Sequence, residues 1–369
     1  LSAYAAGSEW EYLAEGANAL YSPRRDEYDT RDIVRERLVE RDPVLRSLVV
    51  ELMQDADVES CFAVGYTNRG DDRLERGRVE EAVASYWEAL ERSQGEETAT
   101  GSLVYALTLD GRSEEALRLA EEAVARDPRS ATFALGRSQA LWHSGAGLDS
   151  ALLVLTEARE AVRAEERRRI DLERGRLQWV AGNAEASRDA YRAALEAQAD
   201  DPTGLWGLAS AHALAGEWEE AWARYEEAIR IRTGIVSLRT DYARDLLRAG
   251  EVSGARAQVE AALLLDPGDP TARALESWVL LEEGELEAAR ETVAEAVAEE
   301  PWCDLALIVQ ARVLVAAGDP EGAASAIAPL RERMETQAPP SFVYRPKWGR
   351  YDEVHILPAV ERSLLPGGE

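Results

Sequence analysis

The chain has 369 residues, 46% of them apolar and 30% charged, a balance that suits a helical protein with an ample core and argues against disorder over most of its length. Its formal charge of −28 argues against a nucleic-acid scaffold and against binding to anionic membranes, because neutralising phosphate needs a basic surface. No run approaches the roughly 18 apolar residues needed to span a bilayer, and two cysteines, Cys61 and Cys303, cannot build a disulfide framework.

The sequence opens at Leu1 and not at Met, which leaves the removal of a leader or tag open, and with it export; the chain as written is expected to be soluble, its compartment undecided. Trp10, Leu13, Ala14 and Ala17 carry helical spacing, and Ile33, Val34, Arg37 and Leu38 form a second helical pattern before Pro43. Leu45, Leu48, Val49 and Leu52 predict one more amphipathic helix. Residues 1–62 are therefore expected to form a helical cap containing a degenerate repeat.

A fixed period then takes over. Gly77, Gly111, Gly145, Gly182, Gly216, Gly250, Gly284 and Gly318 lie 34, 34, 37, 34, 34, 34 and 34 apart, the signature of stacked units that each bury an apolar face against their neighbours. Seven residues before each glycine stands a mostly small residue: Gly70, Val104, Ser138, Gly175, Ala209, Ala243, Ser277 or Ala311. Five after it, Ala or Ser recurs as Ala82, Ala116, Ser187, Ala221, Ala255, Ala289 and Ala323, with Ala151 displaced by one. Small residues at fixed places on two adjoining helices let their axes approach closely. A third small position, Ala89, Ala123, Ala194, Ala228, Ala262 and Ala296, predicts the contact with the following unit, and Pro128, Pro267 and Pro301 close several units. The expected body is single and elongated.

This constellation, with the aromatics Tyr86, Tyr191 and Tyr225, resembles the tetratricopeptide repeat family over residues 63–337. The resemblance implies an all-α, right-handed superhelical solenoid of about eight helix pairs whose first helices line a concave groove. The early aromatic of the family's first helix is mostly absent, and the third repeat carries three extra residues, expected to bulge or extend its second helix from Leu148 to about Arg169. The family's geometry places Tyr105, Trp142, His143, Arg176, Trp179, Trp206, Arg244, Arg248, Trp278 and Arg312 on the inner wall. Trp and Arg are the residues that dominate binding hot spots. The alternative is that the tryptophans pack against neighbouring helices and the arginines pair with the protein's own acids. Trp87, Trp218 and Trp222, on second helices, are read as core or outer-surface residues.

After Met334 the pattern stops. Residues 338–369 are expected to be an extended tail, and its stretch SFVYRPKWGRY carries Phe342, Tyr344, Arg345, Lys347, Trp348, Arg350 and Tyr351 without an acid. Such a segment can fold back on the last repeats in place of a capping helix, reach another subunit, or stay free. Exchange between chains would give a head-to-tail oligomer or filament.

Catalytic patterns fail on inspection. Lys347, the only lysine, lies outside any phosphate loop, and His143, His212 and His355 belong to no zinc spacing. Gly136-Arg-Ser138 falls inside a helix without the strand elbow a nucleophile motif needs. Asp55, Asp57 and Glu59 imitate a calcium loop but lack its later Gly and Glu. The expectation is a scaffold without catalysis, cofactor or metal, binding an extended peptide or protein segment in its groove, with self-assembly through the ends and tail as the alternative.

Overall fold

A computed structural model describes residues 58–75, 78–92, 97–301, 303–336 and 360, and every regular element among them is helical. The all-α class expected from the 34-residue period is what the chain adopts. The predicted helices before residue 58, the calcium-like stretch opening at Asp55, Trp302 and the aromatic tail residues lie outside the described residues.

The chain divides after Arg126 into two compact units, a division that the even glycine spacing does not mark. The first unit contains α1 (Val58–Glu75), α2 (Val79–Arg92), α3 (Glu97–Leu109) and α4 (Ser113–Arg126). The second contains α5 (Ala131–Leu141), α6 (Leu148–Ala161), α7 (Arg167–Val180), α8 (Ala184–Ala197), α9 (Pro202–Leu214), α10 (Trp218–Ile231), α11 (Val236–Ala249), α12 (Val252–Leu265), α13 (Pro270–Glu282), α14 (Leu286–Glu299), α15 (Asp304–Ala316), α16 (Pro320–Ala326) and α17 (Ala328–Thr336). Odd-numbered helices up to α15 are the first, or A, helices of a pair; the even-numbered ones are their B partners.

Local chemistry explains the boundaries. Asp201 and Asp269 cap α9 and α13, accepting from the Thr203 and Ala272 amides at 3.1 and 2.7 Å, and proline follows at the first helical position, where its missing N–H costs nothing. A-to-B turns pass through a glycine with positive φ, between 76° and 87°, at Gly111, Gly147, Gly182, Gly216, Gly250, Gly284 and Gly318. B helices bury a stripe at spacings of four and three, as Ala221, Tyr225 and Ala228 do on α10. A helices are enclosed more fully: α9 buries nine of its 13 residues.

Each small residue now has a physical task. The Tyr191 ring of α8 lies between α7 and α9, where a Cβ on Gly175 or Gly207 would come within 2.9 and 2.1 Å of it. Gly207→Ala must therefore displace a buried ring and is expected to destabilise the second unit by about 1–3 kcal/mol in urea denaturation; an unchanged midpoint would mean that the ring has room to turn. Serine at the small positions fixes register instead: Ser187 and Ser277 donate to the Gly175 and Ala289 carbonyls, 12 residues away, at 2.8 and 2.7 Å.

Of the two outcomes expected for the third repeat, it takes the bulge and not the longer second helix. Ser138 donates to the Ala151 carbonyl at 3.0 Å across 13 residues, one more than in its counterparts. The extra residue enters a π-helical turn, Trp142–Ala146, which passes the positive-φ position from Gly145 to Gly147. One more residue enters the connection to α7, which holds a 3₁₀ turn at Ala164–Glu166, and another lengthens the start of α7. The B helix is not extended toward Arg169; α6 has the same 14 residues as α8, α10, α12 and α14.

Candidate functional site: the A-helix face of the second unit

Successive A helices of the second unit pack against one another, α5 on α7, α7 on α9, α9 on α11, α11 on α13 and α13 on α15. Nine of the ten residues expected on the inner wall belong to these helices or to the π-turn. Tyr105 is the exception: it sits half-buried on α3 of the first unit.

Burial separates the nine. Trp142, Arg176, Trp179, Arg244 and Trp278 are buried, Trp179 completely, so they cannot present an open face to a ligand as expected. His143, Trp206, Arg248 and Arg312 are half-buried and reachable. The reason lies in repeated pairing across the array. The Arg176 guanidinium lies 5.0 Å from the Trp142 ring, Arg244 6.0 Å from Trp179, and Arg312 4.2 Å from Trp278. The tryptophan of one A helix is covered by an arginine from a later one.

Those arginines are also neutralised within the chain. Glu173 takes Arg176 in a bidentate pair at 2.8 and 2.5 Å. Asp241 lies 3.1 Å from Arg244 Nη1, and Asp245 accepts from Arg248 at 2.9 Å. In each case the acid stands three residues earlier on the same helix, a spacing that places both groups on one face. One Glu282 oxygen accepts from both the Trp278 indole at 3.0 Å and Arg312 at 2.8 Å, clamping that stack, and burial lowers the Arg312 pKa. A free carboxylate arriving at this face would compete with acids already in place. The face is better suited to flat apolar contact than to capture of isolated charge.

A polar network lies beneath it. Trp206 donates from its indole to Asp241 at 3.1 Å, Trp179 to the Ser210 carbonyl at 3.0 Å, and Tyr225 to Asp245 at 2.7 Å. Burial first, then the Asp245 charge, pushes the Tyr225 hydroxyl well above the ordinary phenol range, so it remains a donor. His212 packs with Nδ1 2.6 Å from Glu217, which Arg188 also holds, and these partners depress the Glu217 carboxyl to about 2.

One group was not legible from the inner-wall offsets. Trp218 and Trp222 stack at 5.5 Å, Trp222 meets Tyr242 at 5.4 Å, and Arg248 lies 5.8 Å from Trp218. Half-buried Trp218 and Trp222, with buried Tyr242, join a B helix to the A-helix face, which puts Trp218 at an edge of the candidate surface. The i, i+4 spacing of the two tryptophans on α10 was the available signal. Ser138, the centre of the nucleophile-like motif, is fully buried and committed to its register bond. Cys303 is a buried thiol in the core, as expected. Among the described residues no group of three His, Cys, Asp or Glu could hold a metal ion, and no helix is long and apolar enough to cross a membrane.

Family models described as tetratricopeptide repeat match residues 110–166, 172–234, 240–301 and 305–329. No curated protein sequence matches the chain. Among solved structures, a tetratricopeptide repeat protein from Parabacteroides merdae is similar at 16% identity and a TM-score of 0.51, over 68% of this chain and 98% of that one. The APC/C hetero-tetramer Cut9-Hcn1 aligns at 15% identity and 0.52, over 83% of this chain and 56% of that one. At such identities the likeness is one of fold.

Proposed function

This chain belongs to the tetratricopeptide repeat family, whose fold is generally a protein-interaction scaffold, and we propose that its second unit holds an extended peptide or protein segment along the A-helix face. The observation that carries this reading is the arrangement of half-buried Trp206, Arg248, Arg312 and His143 over a fully packed layer of Trp179, Arg244 and Trp278. Side chains held in place before a ligand arrives lose little conformational entropy on binding, and Trp and Arg then contribute large contact area. Because each guanidinium already has a carboxylate partner, the ligand side chains that fit are aromatic or branched apolar groups stacking on Trp206, Trp218 and the guanidinium planes. No catalytic role is assigned to this face.

The test is selection of peptides from a random display library on the full chain, followed by fluorescence titration. Combined Trp206→Ala, Arg248→Ala and Arg312→Ala substitutions are expected to weaken a selected peptide about 30-fold or more, the equivalent of one strong hot spot, while circular dichroism stays unchanged. A peptide held equally well by the triple variant would place the binding surface elsewhere. Arg244 and Trp278 are unsuitable probes, since replacing either disturbs buried packing.

A further inference from the structure

The B helices of the second unit are uneven on their outer side in a way that the repeat does not require. Of the five large apolar side chains exposed among the described residues, three close two successive B helices: Ile231 ends α10, and Leu264 and Leu265 end α12, with Leu264 85% exposed. A leucine left in water gains its burial energy only when something covers it. The rest of this side of α12 is small or neutral. Ser253, Ala257, Glu260 and Leu264 recur at spacings of four, three and four and are all exposed, with Ala261 beside them, so they form the stripe turned away from the repeat. Glu260 is the only acid of α12 and Arg256, 3.9 Å from it, the only base.

The helices on either side differ. At positions 34 residues before or after this stripe, Glu219 and Glu226 are exposed on α10, and Glu287, Glu291 and Glu295 on α14. None of the five forms an ion pair among the described residues, in contrast to the A-helix face, where each acid beside an arginine is taken. The repeats stack in order, which sets α12 between α10 and α14; Arg256 of α12 reaches Glu283, at the turn into α14, at 2.9 Å. The outcome is a shallow apolar strip, small in its middle and leucine-rich at one end, bordered on both sides by uncommitted carboxylates.

We propose that the outer face of α12 docks a basic amphipathic helix of a partner protein, a second interaction surface separate from the A-helix face. Charge complementarity selects this occupant. A second copy of the chain would set its own rows of carboxylates against these, and an acidic segment would meet the same repulsion. A helix whose apolar stripe is bordered by Lys or Arg fits both features at once: its stripe covers Leu264 and Leu265, and its cations reach the glutamates of α10 and α14. Ala257 and Ala261 let the two helix axes approach closely. The last turn of α12 has no basic residue of its own, and its free carbonyls, the negative end of the helix dipole, favour the same sign of partner.

The probe is a labelled peptide of about 18 residues, Leu and Lys only, with its leucines at helical spacing, beside a scrambled peptide of the same composition. Fluorescence anisotropy with the full chain is read at about 0.15 M salt, which screens loose attraction to the net negative charge. Combined Leu264→Asn and Leu265→Asn substitutions are expected to weaken the striped peptide about tenfold or more and to leave the scrambled one unchanged. Both leucines are exposed, so the variant should keep the wild-type melting temperature. Combined Glu291→Gln and Glu295→Gln substitutions should weaken the striped peptide as well. The Trp206→Ala, Arg248→Ala, Arg312→Ala variant should bind it as the wild type does, which separates this surface from the A-helix face. Equal affinity for the leucine variant and the wild type overturns the proposal, as does a scrambled peptide bound as tightly as the striped one, since net charge alone would then explain binding. A wild-type dimer that Leu264→Asn converts to monomers also overturns it, because the occupant would be a second copy.

Discussion

Trp179→Ala is expected to lower the unfolding free energy of the second unit by about 3–5 kcal/mol, the usual range for removing a fully buried large aromatic. The side chain is 0% exposed on α7, donates to the Ser210 carbonyl of α9 at 3.0 Å, and lies under Arg244 of α11. It thus connects three successive A helices, and its loss leaves a cavity that none of them can fill alone. Trp179→Phe keeps most of the buried area and should cost less, chiefly the hydrogen bond at about 1 kcal/mol and some packing. Urea denaturation followed by far-ultraviolet circular dichroism measures both. A loss under 1 kcal/mol for the alanine variant would return Trp179 to the ligand face, because a tryptophan kept for binding need not support the fold.

Arg244→Met is expected to cost about 3–5 kcal/mol, a penalty that comes from what it leaves behind more than from what it removes. Asp241 would then be a carboxylate at 3% exposure with the Trp206 indole as its remaining named donor. Replacing the acid as well, in an Arg244→Met, Asp241→Leu double variant, should recover most of that loss, since two apolar residues in a buried site avoid desolvating either charge. The double-mutant cycle should therefore give a coupling of several kcal/mol; purely additive losses would mean that the two groups act separately. The same cycle serves the functional proposal. If peptide affinity survives in the double variant, Arg244 acts as a support for the face and does not contact the ligand.

These two cases mark how far residue patterns reach. Placing Arg176, Arg244 and Arg312 in one column was correct as geometry, because a helix pair repeated in register puts equivalent residues on equivalent faces. Their exposure was not legible. Whether Trp142 or Trp278 is open depends on a guanidinium supplied from 34 residues further on, and whether that guanidinium is free depends on a carboxylate, Glu173 one turn from Arg176 and Glu282 on the preceding A helix for Arg312. The aromatic cluster of Trp218, Trp222 and Tyr242 escaped notice for a related reason: it combines a B helix with the next A helix, and column-by-column reading keeps them apart.

The 34-residue spacing, the small residues at the helix contacts and the Asp-Pro and glycine boundaries determined by themselves that this is an array of tetratricopeptide helix pairs, since each signal depends on neighbours within one or two turns. Only the tertiary structure decided that Gly147 and not Gly145 turns the third repeat, because either glycine can adopt positive φ and the π-turn alone selects between them. It also decided the division after Arg126 and the burial of half the expected binding face. Each of these turns on contacts between residues distant in sequence. A repeating pattern specifies what every unit has in common, and it is silent on what a unit meets from outside itself.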